Sequence, residues 1–438
     1  MLIRFSVENF RSIDGPTQLS LVAMDKGHLA SRAVTGVDEE LLALVGIFGP
    51  NASGKSNILA AIQWLRDAVV RSLRTWDEGI PVDQFLFGPA SGPASSFDIE
   101  YVIDGVRFDY QLEVTSEEVV YEGLFHYPLG RRRRIFERNR LDLVLQDGLG
   151  SLSGARKLLT PRSLMLSIVR RFREDLTLSF ANAIAEIDSL GLGRPRRVYG
   201  GGGPGFNSGR LVSGPRWYLQ PDVEDLEDLE DDAEEDDRAR YIKAVAAIRE
   251  QGIALLRMAD LGIIDVQVIR DENAEARGVP ASAARRTQFI HSSGEETFAL
   301  DMAEESAGTR TWFALVGPVL DALRRGGVLI FDEIDASLHP RLSAELLGLF
   351  ASPETNPRNA QLIFTSHDAS LLARLNRDQV WLTEKNAQGA TELVPLTDFG
   401  GDRVRRSQNL EKAYLEGRFG GIPDVDLITV YRALGLMS

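Results

Sequence analysis

The chain has 438 residues, no cysteine and a formal net charge of −15. That length supports a large core and more than one lobe, and the missing thiols exclude a disulfide framework and any thiolate metal site. No apolar run reaches the length of a membrane span, and Arg4 and Glu8 sit where a signal peptide would be apolar, so the expectation is a soluble cytoplasmic protein with no membrane partner.

Met1 to Val7 reads as an opening strand, followed by Asn9-Phe10-Arg11. The apolar run Leu41 to Phe48 predicts one buried strand. Gly49-Pro50-Asn51-Ala52-Ser53-Gly54-Lys55-Ser56 comes next, and Ile58, Leu59, Ile62, Leu65 and Val69 then recur at helical spacing. A glycine-rich turn between strand and helix, with Lys-Ser at the helix start, is a phosphate-binding loop. Its glycines let backbone N–H groups approach phosphates, and the helix N-terminus adds positive partial charge. Gly49, Asn51, Ser53, Gly54 and Asn57 would line the nucleotide, and Lys55 would reach its β- and γ-phosphates. The Ser56 hydroxyl would ligate Mg²⁺.

Beyond that helix, Phe97 to Ile103 and Arg107 to Val114 flank Asp104-Gly105, a hairpin signal. Further strands are expected through Tyr121 and from Arg134 to Phe136. Residues 155 to 190 read as helical, 198 to 214 as a glycine-rich loop, and Arg238 to Leu261 as a long amphipathic helix. Between these lies Asp222 to Asp237, with 12 acidic residues in 16. The whole chain has 49 basic against 64 acidic residues, so the body outside this block is close to neutral. Such a block is a solvated loop or an interaction surface. Arg131 to Arg134 and Arg194 to Arg197 are basic clusters, either solvated turns or phosphate contacts.

From Ile263 to about residue 394 strands and helices alternate again. Glu305-Ser306-Ala307-Gly308-Thr309 precedes a helical pattern at Trp312, Val316, Val319, Leu320 and Leu323. Val328-Leu329-Ile330-Phe331 is a buried parallel strand ending in Asp332-Glu333, and ligand groups sit at such strand ends. Asp332 is placed to hold the metal shell and Glu333 to accept a proton from an attacking water. Asp335-Ala336-Ser337-Leu338-His339-Pro340 opens another helix, with Pro340 in its first turn and Leu342, Leu346, Leu349 and Phe350 inward. Gln361 to Thr365 ends in Ser366-His367, and His367 is a candidate γ-phosphate contact. His126, His291 and His339 lack metal-ligand spacing and read as core or surface histidines.

The phosphate loop, the Ser306 turn, the acidic strand and the histidine strand, in this order, resemble the motifs of ABC-type ATPases, with Ser306 and Gly308 in the signature and Asp335 in the D-loop. The resemblance implies an α/β head, a P-loop parallel sheet plus an antiparallel β-subdomain, with an inserted helical lid. It implies ATP and Mg²⁺, a Q-loop glutamine for which Gln84 and Gln111 compete, and a homodimer or higher homo-oligomer clasping nucleotide between heads. The opening Asn-Phe-Arg, the trailing Asn57 and the wide gap between loop and signature resemble SMC, RecF and OLD-type ATPases. In that branch Arg11 would touch the nucleotide. The expected divisions are 1–150 (N-terminal lobe), 151–260 (helical insertion), 261–400 (C-terminal lobe) and 401–438 (helical tail, with Leu427, Val430, Tyr431 and Leu434 in pattern).

Ile135-Phe136-Glu137-Arg138, Met258 to Ile263, Trp381-Leu382-Thr383-Glu384-Lys385 and Asn409 to Pro423 resemble RecF-like ATPases of phage-defence operons, the RloA and AbiL group, to which the PARIS ATPase is related. This implies a sensor ATPase controlling a separate effector, a nuclease with a Toprim-like fold. The competing expectation is a RecF-like repair ATPase acting directly on DNA, so nucleic acid stays open as a partner.

Overall fold

The computed structural model describes residues 1–88, 93–172, 174–192, 235–259, 262–270, 285–294, 296–399, 410–420, 431–432 and 434. The glycine-rich stretch, the acidic block up to residue 234, Arg194 to Arg197, Leu427 and Val430 lie outside the described residues.

Strands β1 (Leu2–Glu8) and β2 (Thr17–Ser20) are followed by a small hairpin, β3 (Ser31–Ala33) and β4 (Glu40–Leu42), and then by β5 (Leu44–Phe48). The single strand expected over Leu41 to Phe48 is therefore divided at Ala43. Leu41 and Leu42 pair with β3, whereas β5 enters the parallel sheet. Helix α1 (Lys55–Thr75) follows the phosphate loop. Strands β6 (Ser95–Ile103), β7 (Val106–Val114), β8 (Val119–His126), β9 (Arg133–Asn139) and β10 (Asp142–Leu145) complete an antiparallel sheet of order β10-β9-β8-β7-β6-β1-β2. The β6–β7 turn has both φ angles positive, Asp104 at 49° and Gly105 at 76°, as its Asp-Gly sequence demands.

Helices α2 (Met165–Val169) and α3 (Asp175–Ala185) pack on α1. The segment after them departs from the expected all-helical insertion, because β11 (Asp188–Leu190) pairs in parallel with β15 (Val328–Phe331). Helix α4 (Glu235–Ala259) leads to a three-stranded antiparallel sheet, β12 (Ile263–Arg270), β13 (Arg285–Ser293) and β14 (Glu296–Asp301). The remaining elements are α5 (Ala307–Arg325), α6 (Ile334–Ser337), α7 (Pro340–Ala351), β16 (Gln361–Ser366), β17 (Val380–Lys385), β18 (Thr391–Pro395) and α8 (Leu410–Leu415).

The second large sheet has the order β11-β15-β16-β5-β17-β18, parallel except for its β18 edge. Its central strands β15 and β5 carry no polar side chain, and β16 is buried along its whole length, because both faces are covered. Alternation divides them cleanly. Val45, Ile47, Val328, Ile330 and Ile363 join a core with α1 and the antiparallel sheet. Leu44, Phe48, Leu329, Phe331, Leu362 and Phe364 join a second core with α5 and α7. Within the first core Trp64 of α1 stacks on Phe97 of β6 with centroids 4.3 Å apart. Buried Gln361 links the two sheets, accepting from Leu2 N at 2.6 Å and donating to the carbonyls of Leu2 and Leu42 at 2.9 and 3.0 Å. Helix α4 lies along α5, and Trp312 donates to the Leu255 carbonyl at 2.7 Å. This is the expected α/β head with its β-subdomain. The inward face of α7 is rotated from expectation: Ser343, Leu346, Leu347 and Phe350 are buried, while Leu342 and Leu349 are only partly so.

Candidate functional site

Both ends of the phosphate loop are built on close approaches that only glycine permits. Gly54 (φ 106°) is the α1 N-cap, and a side chain there would strike the Thr391 hydroxyl. Gly49 (φ 150°) would place a Cβ 2.5 Å from the Thr383 carbonyl oxygen. Hydroxyls then fix the loop. Ser53 Oγ and Thr383 Oγ1 are 2.6 Å apart, and Thr391 Oγ1 donates to Ser53 O at 2.8 Å. Asn57 donates to Ser12 Oγ at 2.6 Å, and Ser12 meets Thr391 Oγ1 at 2.7 Å. Asn51 is exposed at the loop crest.

Lys55 begins the helix but folds back over the loop. Its Nζ donates to the carbonyls of Gly49 and Pro50 at 2.8 and 3.0 Å and lies 3.3 Å from His367 Nδ1. Burial lowers its pKa to about 8, against the opposing pull of Glu333, Asp332 and Asp335. A cation held partly desolvated, facing three carboxylates, is poised for an anionic ligand.

Asp332 directly follows β15 and is buried. Its Oδ1 accepts from Thr365 Oγ1 at 2.7 Å, and the Ser56 hydroxyl faces the same carboxylate and favours its charged form. Burial raises its pKa, opposed by those two hydroxyls. A hydroxyl beside a carboxylate is a hard-oxygen donor pair that suits Mg²⁺, which takes few protein ligands and keeps its waters. Among the described residues no cluster of three or more metal-binding side chains exists.

Glu333 adopts a left-handed conformation (φ 53°), stabilised by its N–H donating to Thr365 Oγ1 at 2.7 Å. Its carboxylate stands half-exposed, 3.8 Å from His367 Nε2. The Asp335 carboxylate accepts from the His367 N–H at 3.2 Å. Lys55, Ser56, Asp332, Glu333, Asp335 and His367 thus meet at one sheet end.

Ser306 and Gly308 are not part of that cluster. Ser306 is the N-cap of α5, and its Oγ accepts from Thr309 N at 3.0 Å and meets Thr309 Oγ1 at 2.8 Å. Among the described residues no hydrogen bond joins it to the phosphate loop. Arg11 (φ 53°) donates its N–H to Asp83 O at 2.7 Å, and its Nε lies 3.5 Å from Asp83 Oδ2. It adjoins Ser12, so its backbone is tied to the loop through Asn57 and Thr391. Gln84 is beside Arg11's partner Asp83 and donates to Pro93 O at 3.0 Å. Gln111 lies on β7, engaged by Asp109 and Arg132.

Sequence reasoning missed Thr365, Thr383, Thr391 and Ser12. Thr383 lies in the Trp381 to Lys385 stretch, which therefore has a local role: its hydroxyl braces Ser53. Arg138, of the Ile135 to Arg138 stretch, is buried 3.7 Å from Glu122 and donates to Ser163 O at 2.7 Å. In the tail, Tyr414 and Phe419 are buried and Gly420 abuts the Glu384 carboxylate. Within the first basic cluster Arg132 stacks over Phe125 at 3.6 Å. His126 is buried, and His339 caps α7.

Residues 44–373 match the family described as "AAA domain, putative AbiEii toxin, Type IV TA system". A curated relative, the chromosome partition protein Smc of Methylococcus capsulatus, is 34% identical over 123 residues, 26% of this chain. The match spans only 10% of that relative's length. Among solved structures, an SMC head bound to the C-winged helix domain of ScpA aligns with TM-score 0.48 at 15% identity, covering 90% of this chain and 96% of that one. The SMC head domain from Thermotoga maritima aligns with TM-score 0.39 at 12% identity, covering 90% and 98%. A Pyrococcus furiosus Smc head with an extended coiled coil, bound to the C-terminal domain of ScpA, aligns with TM-score 0.44 at 15% identity, covering 90% and 95%. No helix among the described residues is long and apolar enough to cross a membrane.

Proposed function

Since this chain belongs to the AAA-domain family described as putative AbiEii toxins of type IV toxin–antitoxin systems, we propose that this ABC-type ATPase completes its catalytic site only between two copies of itself. The observation that carries this reading is the convergence of Lys55, Asp332, Glu333, Asp335 and His367, while Ser306 keeps its hydrogen bonds within its own helix.

Lys55 balances charge on the β- and γ-phosphates. Ser56 and Asp332 would hold Mg²⁺, which neutralises phosphoryl oxygens when bound. Glu333 takes the proton of the attacking water, and its exposure leaves room for that water. His367 faces the γ-phosphate, with its backbone set by Asp335. Ser306 and Gly308 of a second copy bring a helix N-terminus to the same phosphate. The chemistry is positioning and charge stabilisation, where one preorganised donor is typically worth ~10²–10³-fold in rate. Nucleotide state then sets assembly state.

The biological step rests on the resemblance to defence ATPases and on the family's toxin–antitoxin description. The resemblance supports a sensor that holds or releases a separate effector, a Toprim-like nuclease, and the family description adds only a toxin–antitoxin setting. The partial likeness to a chromosome partition protein supports the alternative, in which DNA is the partner.

The composite site is tested by mixing. Lys55→Ala and Ser306→Arg chains are each expected to be inactive, because each lacks one half of every site. Their mixed dimers retain one complete site, so ATPase activity returns. Demonstrated mixed dimers without activity would overturn the reading.

A further inference from the structure

The sequence marks His291 as an ordinary histidine, yet its place in the fold is next to the signature turn. Alternation along β13 puts Phe289 and His291 on one face. Phe289 is fully buried and meets Phe313 of α5 edge-on, with centroids 5.1 Å apart. Two residues further, His291 Nε2 lies 2.5 Å from Glu305 Oε1. Glu305 directly precedes the α5 N-cap, and its side chain is 6% exposed. The turn has other ties: Met302 N–H donates to Thr287 O at 3.0 Å, and Arg310 reaches the carbonyls of Ala303 and Glu305 at 3.1 and 2.7 Å. Only the His291 contact engages the Glu305 carboxylate among the hydrogen bonds of the described residues.

A carboxylate at this place is hazardous. The first N–H groups of α5 attract anions, so an unrestrained Glu305 competes with an incoming phosphate for them. Its burial also requires a partner. His291 meets both demands by holding the carboxylate toward the sheet.

We propose that the His291–Glu305 pair positions the Ser306–Gly308 turn to receive the phosphate bound by a second copy. The inference rests on the composite-site reading. His291 touches no substrate, so it is a positioning residue. Its loss should damage the signature half of a site and leave the phosphate-loop half intact.

The test is complementation in mixed dimers, with the Lys55→Ala and Ser306→Arg pair as control. His291→Ala alone should lose ~10–100-fold in kcat, the scale of a displacement near 1 Å, while keeping its ATP affinity. Mixed with Lys55→Ala chains it should regain activity, because it still supplies an intact phosphate loop. Mixed with Ser306→Arg chains it should not, because both signatures are then impaired. The exchanged variant, His291→Glu with Glu305→His, should recover most of the activity. Activity regained with Ser306→Arg chains, or failure in both mixtures while the control recovers, would overturn the pair's role. Failure of the control would overturn the composite site itself, and this inference with it.

Discussion

Thr365→Val is the most informative single perturbation of the site. Valine keeps the buried shape and removes one hydroxyl, which serves two neighbours at 2.7 Å: Asp332 Oδ1 and the Glu333 N–H. Each buried polar group left unpaired costs about 1–3 kcal/mol, so the fold should lose roughly 2–4 kcal/mol after Ser56 compensates part of the Asp332 deficit. The kinetic effect should be larger. Glu333 holds a left-handed backbone that costs about 1–2 kcal/mol, so without its tether it relaxes and moves the carboxylate. A shift near 1 Å predicts ~10²-fold lower kcat. Asp332 adds a pH signature. The Thr365 bond favours its charged form, so removing it raises a pKa that burial has already raised. The acidic limb of the ATPase pH profile should therefore move to higher pH. Thr365→Ser keeps the hydroxyl and should preserve both kcat and that limb. Steady-state ATPase measured against pH is the assay. A Thr365→Val enzyme with unchanged kcat and unchanged acidic limb would refute the idea that this hydroxyl orders the catalytic carboxylates.

Other outcomes follow from the same geometry. Lys55→Ala should abolish ATP binding measured by calorimetry, since the phosphates lose their main cation. In the unaltered chain Lys55 titrates at about 8, so ATP binding above that pH should take up a proton, seen as a buffer-dependent binding enthalpy, and affinity should weaken as pH rises. The sign for folding is opposite: the unfolded lysine holds its proton to higher pH, so this group's contribution to stability grows from pH 8 upward. Gly54→Ala meets the Thr391 hydroxyl and should lower ATP affinity, and Gly54→Ala with Thr391→Gly should restore part of it. If the chain controls a separate effector encoded beside it, as proposed, plaque assays should show protection by the gene pair and none by this gene alone or by a Lys55→Ala pair; full protection by this gene alone would favour direct action on DNA.

The legible parts of this chain were those set by local pattern. The apolar runs Leu41–Phe48 and Val328–Phe331, with the apolar centre of Gln361–Ser366, announced a buried parallel sheet, though Leu41 and Leu42 belong to the β3–β4 hairpin. Asp104-Gly105 announced the β6–β7 hairpin of the antiparallel sheet, and Gly54-Lys55-Ser56 the loop. What escaped was tertiary. Strand β11 is three residues long, Asp188-Ser189-Leu190, and is a strand only because β15 lies beside it. The face of α7 turned because small, fully buried Ser343 lies inward, which no apolar count reveals. The bracing hydroxyls of Ser12, Thr365, Thr383 and Thr391 come from distant segments, and their meaning arises only when those segments meet. His291 escaped because its partner is 14 residues away, in the turn between β14 and α5.

Glu333→Gln tests the central claim most directly. The amide keeps the size of the side chain and cannot accept the proton of the attacking water. Single-turnover hydrolysis, read alongside the mass of the ATP-bound species, should show turnover ~10²–10⁴-fold slower and an accumulated ATP-bound dimer. Turnover within about threefold of the unaltered chain, far short of a general base's contribution, or a variant that stays monomeric with ATP, would contradict the account.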